Sequence, residues 1–204
     1  MKFVVESVRV ERYAAVPTLA FQLRLESQNR VGSVMLTTQI LIESRRRTYL
    51  AAEQRRLLDL FGEPARWKET GRNLLWAKVP QNIAGFEEKT EVDLMLPCSF
   101  DFEIVASRYL HALDSGEIPL LFLFSGTVMN RTDAGLMMEP ISSEAQVRFS
   151  MPVETWKELM KAYYPEGGWL RLSTEALHAL QRYRAEHALT NWDEVILDLM
   201  GQRL

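Results

Sequence analysis

Leu19, Phe21, Leu23 and Leu25 alternate with Ala20, Gln22, Arg24 and Glu26, and Leu36, Thr38, Ile40 and Ile42 keep the same period on the next segment. Val8 and Val10 alternate with Arg9 and Glu11 near the start, and Val92, Leu94 and Leu96 alternate with Glu91, Asp93 and Met95 further on. A period of two turns one set of side chains to a core and the other to water, which is the signature of half-wet antiparallel strands. Pro17 and Asn29-Arg30-Val31-Gly32 supply turns between them. Further strands are expected at Leu74–Val79 and along Ala145, Val147, Phe149 and Met151. The unbroken run Leu120-Leu121-Phe122-Leu123-Phe124 predicts a strand covered on both faces, hence a central one. Residues 62–73 and 130–142 read as loops.

The period changes in two other places. Between Tyr49 and Phe61, the residues Leu50, Leu57, Leu58 and Phe61 fall on one helical face, and Gly62 provides a stop. Phe102, Val105, Ala106, Tyr109, Leu110 and Leu113 share a helical face over 101–113. From Pro152 onward the spacing is helical throughout. Val153, Trp156, Met160 and Tyr163 form one face; Ser173 caps a helix carrying Leu177, Leu180 and Tyr183; and Asn191 with Glu194 opens a third. The expected fold is therefore α+β, an antiparallel body of about six or seven strands with one or two inserted helices. A β-rich body over 1–151 carries a three-helix region over 152–204, packed on it as one structural unit, with Trp156, Leu177 and Leu180 buried. The alternative is a two-layer β-sandwich in which 98–108 is a strand.

Composition removes several function classes. The chain has 204 residues, 47% hydrophobic and 25% charged, enough for one core without disulfides or metal. Its 24 basic and 27 acidic residues give a net charge of −3, without the basic excess of a nucleic-acid binder. The longest apolar run is far short of the about 20 residues of a membrane-spanning helix, and Glu6 interrupts the start before any signal-peptide core forms. The expectation is a cytoplasmic protein that binds neither membrane nor nucleic acid.

The candidate chemistry is sparse. His111, His178 and His187 are scattered, and with one cysteine they do not make the four-ligand set of a zinc site. Neither a metal nor another cofactor is expected, and the chain reads more readily as a binding protein than as an enzyme. Cys98 lies just before the helix at 101, where a helix terminus can activate a thiol, although a small buried hydrophobe suits the position better. Asp101 suits a helix cap. An enzyme or small-ligand site assembled from distant residues near Cys98 and Asp101 is the alternative function. Arg45, Arg46 and Arg47, with Arg55 and Arg56 on the following helix, form the densest charge cluster, suited to pairing with carboxylates of an acidic partner. Tyr163, Tyr164 and Trp169 surround a Gly-rich turn and are the kind of aromatic anchor that interfaces use. Self-association is compatible with either patch.

Three strings resemble an uncharacterised bacterial domain family: Gly62-Glu63-Pro64-Ala65-Arg66-Trp67, Tyr109-Leu110-His111-Ala112-Leu113, and Gly116 through Val128. Gly168-Trp169-Leu170-Arg171-Leu172 extends the likeness over nearly the whole chain. The resemblance implies an accessory or assembly role, because genes of the family are associated with nickel–iron hydrogenase clusters; it transfers no catalytic residue. In element order alone, Arg108 to Phe124 also resembles the SecB export chaperone, where strands lead into a short helix, a Gly turn and a further strand. The resulting expectation is a non-catalytic interaction or assembly protein, chaperone-like and serving a hydrogenase or other redox enzyme.

Overall fold

The alternating segments become strands β1 (Lys2–Glu11), β2 (Thr18–Glu26) and β3 (Val31–Ile42). The computed structural model describes residues 1–204 except 100, 102, 103, 133, 134, 166, 168, 169, 203 and 204, and except the side chains of 68, 70, 131 and 132. After β3 come a 3-10 turn at Ser44–Arg46, two short helices α1 (Ala51–Arg56) and α2 (Leu58–Phe61), a 3-10 turn at Pro64–Arg66 and α3 (Trp67–Thr70). Strands β4 (Leu74–Phe86) and β5 (Lys89–Pro97), helix α4 (Val105–His111) and strands β6 (Glu117–Thr132), β7 (Gly135–Pro140) and β8 (Gln146–Pro152) complete the body, with α5 (Val153–Tyr163) directly behind β8.

The fold is α+β with antiparallel pairing throughout. The strands make two sheets, eight strands in all among the described residues. One runs β1-β2-β5; the other runs β4-β3-β6-β7, with β8 beside the first half of β6. The inward residues of both sheets meet. Phe21 of β2 lies edge-on to Phe122 of β6 at 5.2 Å, and Phe3 of β1 stacks on Phe124 at 4.2 Å. Leu19, Phe21, Leu23 and Leu25 are fully buried, as are Ile40, Ile42, Leu120 and Phe122. Each such side chain contributes roughly 1.5–3 kcal/mol. The arrangement thus combines the layers of a sandwich with the helix expected near 105.

Three expected elements differ. The segment 62–73, expected as a loop, holds a 3-10 turn and α3. The helix expected over 49–61 breaks at Leu57 (φ −101°, ψ 3°), whose N–H is shared between the carbonyls of Glu53 and Gln54. That break leaves Leu50 and Leu58 exposed and only Leu57 of that face fully buried. Gly62 at φ +70° ends α2 in a conformation few other residues adopt. The loop expected at 130–142 contains β7, whose six residues are all exposed and so show no alternation.

The chain divides into two compact units, Met1–Gly168 and Trp169–Leu204. Helix α5 belongs to the first, where Val153, Trp156 and Leu159 are buried. Trp156 is 2% exposed. The second unit holds α6 (Thr174–Glu186) and α7 (Trp192–Leu199), capped by Ser173 and Asn191 as expected. The Tyr183 hydroxyl donates to Asp198 at 2.8 Å, and Arg184 lies over the Trp192 ring. Leu180 is half-buried and Leu177, expected to be buried, is 39% exposed. No helix among the described residues is long and apolar enough to cross a membrane.

Candidate functional site

The arginine cluster divides into structural and free members. Arg47 is drawn inward, its side chain 7% exposed, and its guanidinium meets the fully buried Glu53 at 2.7 Å. It also donates to the Glu117 carbonyl at 2.6 Å and to the Ser115 carbonyl. Arg56 donates to the Ala112 carbonyl and pairs with Asp114. Both arginines therefore tie the segment between α4 and β6 to the first helices. Arg46 pairs with Glu43, which Arg148 also reaches at 3.0 Å. Arg45 and Arg55 are exposed and make no ion pair among the described residues.

Glu53 is the centre of this arrangement. Its carboxylate accepts from the backbone N–H of Asp114 at 2.7 Å and of Leu50 at 2.9 Å, besides Arg47. Burial opposes its ionisation, but the two N–H donors and the Arg47 charge outweigh burial and hold the carboxyl below its ordinary value. The sequence signal was present: Glu53 stands at the third helical position, where a carboxylate reaches back to the helix start.

Beside this network opens a cleft of about 320 Å³, lined by Arg45, Arg47, Tyr49, Phe61, Trp67 and Gly71, with Ser44 and Thr48 completing it. Its walls are aromatic. Trp67 lies edge-on to Tyr49 at 5.1 Å and to Phe61 at 5.4 Å. Each ring is held by its own bonds: Trp67 Nε1 donates to the Gly62 carbonyl at 2.7 Å, and the Tyr49 hydroxyl donates to the Ser44 carbonyl at 2.6 Å. With that proton committed, the buried Tyr109 hydroxyl donates to Tyr49 across 2.8 Å. Burial pushes the Tyr49 phenol up to about 12, so it stays neutral. Gly71 is required by space. A Cβ there would lie 2.6 Å from the Trp67 carbonyl oxygen and 2.8 Å from Arg45 Cγ.

Two of the arginines that line the cleft carry unsatisfied donors. Arg45 brings an unpaired guanidinium, and the Nε of Arg47 is buried without a hydrogen-bond partner among the described residues. An acceptor of negative charge with an apolar body would pair with Arg45 and fill the aromatic walls.

The remaining expected positions have other surroundings. Tyr163 and Tyr164 pack against the core of the first unit, and the Tyr163 hydroxyl donates to the carbonyls of Glu11 and Ala14. Trp169 lies outside the described residues. Cys98 is 8% exposed, and burial pushes its thiol up to about 12, which leaves little thiolate near neutrality. Asp101 does not cap α4: Ile104 occupies the cap position, and the Asp101 backbone carbonyl accepts the Ile104 N–H. Pattern reasoning found the arginines but missed Tyr49, Phe61 and Trp67 as a set, because their spacing follows no period.

Residues 1–203 match the model of a family of unknown function (DUF6084), and the chain belongs to that family. No curated protein and no solved structure matches the chain.

Proposed function

We propose that this chain is a non-catalytic accessory protein of the bacterial cytoplasm that docks an acidic segment of a protein partner in the Arg45–Trp67 cleft. The observation that carries this reading is the combination of an unpaired, exposed Arg45 and three aromatic walls in one cleft. A carboxylate meeting the Arg45 guanidinium supplies charge-assisted hydrogen bonds. An apolar side chain next to it buries its surface against Tyr49, Phe61 and Trp67, as aromatic hot spots do. The cleft volume lies at the small end for ligand sites, which suits one or two side chains of a partner. The hydrogenase association that the family resemblance implies makes a subunit or assembly intermediate of such an enzyme the partner to test first.

The test is affinity capture from the native host with the intact protein and with the Arg45→Glu and Trp67→Ala variants. The expected result is an acidic partner recovered in stoichiometric amount, weakened by added salt and lost with either variant. Recovery of the protein alone, or of a partner indifferent to both variants, would overturn the proposal.

A further inference from the structure

We infer that two copies of this chain pair through strand β7, edge to edge and antiparallel, to form a twofold dimer. Among the described residues β7 pairs with β6 alone, so over 136–139 its other edge presents backbone groups that no neighbouring strand pairs. Such edges are normally blunted by charge, proline or a bulge. The remaining outer strands carry these devices: β1 has Lys2 and a register shift between Val5 and Ser7, β4 has Lys78 and Pro80, β5 has Lys89, Glu91 and Asp93, and β8 has Arg148 and Pro152. Strand β7 has such residues only at its end, Glu139 and Pro140, and before them presents Leu136, Met137 and Met138 in succession, all exposed, and so is apolar on both faces there. Its single charge is Glu139.

A second copy fits this edge because the strand is complementary to itself. Antiparallel pairing centred on Met137 sets Leu136 opposite Met138 of the other copy, and Met138 opposite Leu136. Glu139 then faces Gly135, so no like charges oppose one another. Met129 of β6 already pairs with Met138, and the new contact extends that pair into an apolar row across three strands. The contact is isologous, as a closed dimer requires.

Sedimentation velocity of the full chain at micromolar concentration tests this, with three versions compared. Wild type is expected to be dimeric. The Leu136→Lys/Met138→Lys variant places like charges opposite each other and is expected to weaken the dimer at least tenfold. The Leu136→Lys/Met138→Glu variant places opposite charges in that same register and is expected to remain dimeric. Because the substituted residues are exposed, unchanged thermal melts will show that the fold is intact. A monomeric wild type, or a dimer that survives the double-lysine variant, would overturn the inference.

Discussion

The carboxylate of Glu53 lies 2.7 Å from the Arg47 guanidinium, and both side chains are buried. Neither group can be removed singly without stranding the other. Leaving one charge of a buried pair uncompensated costs about 3–5 kcal/mol. Arg47→Ala and Glu53→Ala are therefore each expected to lower unfolding free energy by about that amount, read from urea denaturation. The double variant is expected to be less destabilised than the sum of the two. Additive losses would show that the two groups are not coupled.

Acid sensitivity follows from the same residue and from His111. Glu53 is held below its ordinary value of 4.5 in the fold, so the unfolded chain takes up its proton first. Its contribution is complete above that value and is lost as pH falls through the folded value. Burial lowers His111 below 6.5, beside the Trp156 ring at 5.3 Å. Its ring is neutral in the fold while the unfolded chain begins to protonate near 6.5, so stability falls from there downward. Both slopes have one sign. The melting temperature is expected to fall steadily from pH 7 to pH 4, with the upper limb flattened in His111→Gln and the lower in Glu53→Gln. A melting temperature constant over that range would contradict both assignments.

The strands with one wet face were legible in the sequence, because Leu19 to Leu25 and Leu36 to Ile42 declare by alternation which side is buried. Alternation does not say what covers the buried side. One sheet and two facing sheets give the same period along Leu19 to Leu25, and only long-range contacts such as that between Phe21 and Phe122 decide. Strand β7 was invisible because exposure on both faces erases the period. The site was legible in part. Arg45, Arg46 and Arg47 stand adjacent as a cation cluster, but nothing local separates the one that is buried from its neighbours. That separation depends on Glu53, six residues away, and on the Asp114 N–H that holds Glu53 from a different part of the chain.

Burial of Cys98 at the end of β5 predicts a slow thiol. Its sulfur is buried and donates toward the Leu96 carbonyl at 3.5 Å. Reaction with a thiol-specific chromogenic disulfide requires thiolate and access. Native protein is expected to react at least tenfold more slowly than protein in denaturant, at pH 8. Equal rates would return Cys98 to the list of candidate functional groups.

The end of the first unit predicts where the chain can be cut. Helix α5 follows β8 without a linker, and the Val153 N–H bonds the Gly116 carbonyl at 2.8 Å, fixing the helix start to the beginning of β6. Val153, Trp156 and Leu159 then enter the core with almost no exposure. Trp156 also meets Trp76 of β4 at 6.3 Å, so the helix closes over one end of the second sheet. Truncating a buried tryptophan to alanine costs about 3–5 kcal/mol, a large part of a total of about 5–15 kcal/mol. A fragment ending at Met151 loses all three side chains and is expected to be insoluble or to lack a cooperative melt. A fragment ending at Gly168 keeps them and is expected to melt cooperatively by circular dichroism, because the boundary between the compact units falls there. Trp156→Ala in the full chain is expected to lower stability by about 3–5 kcal/mol. Cooperative melting of the shorter fragment would show that α5 is dispensable, and would place the boundary of the folded body at the end of β8.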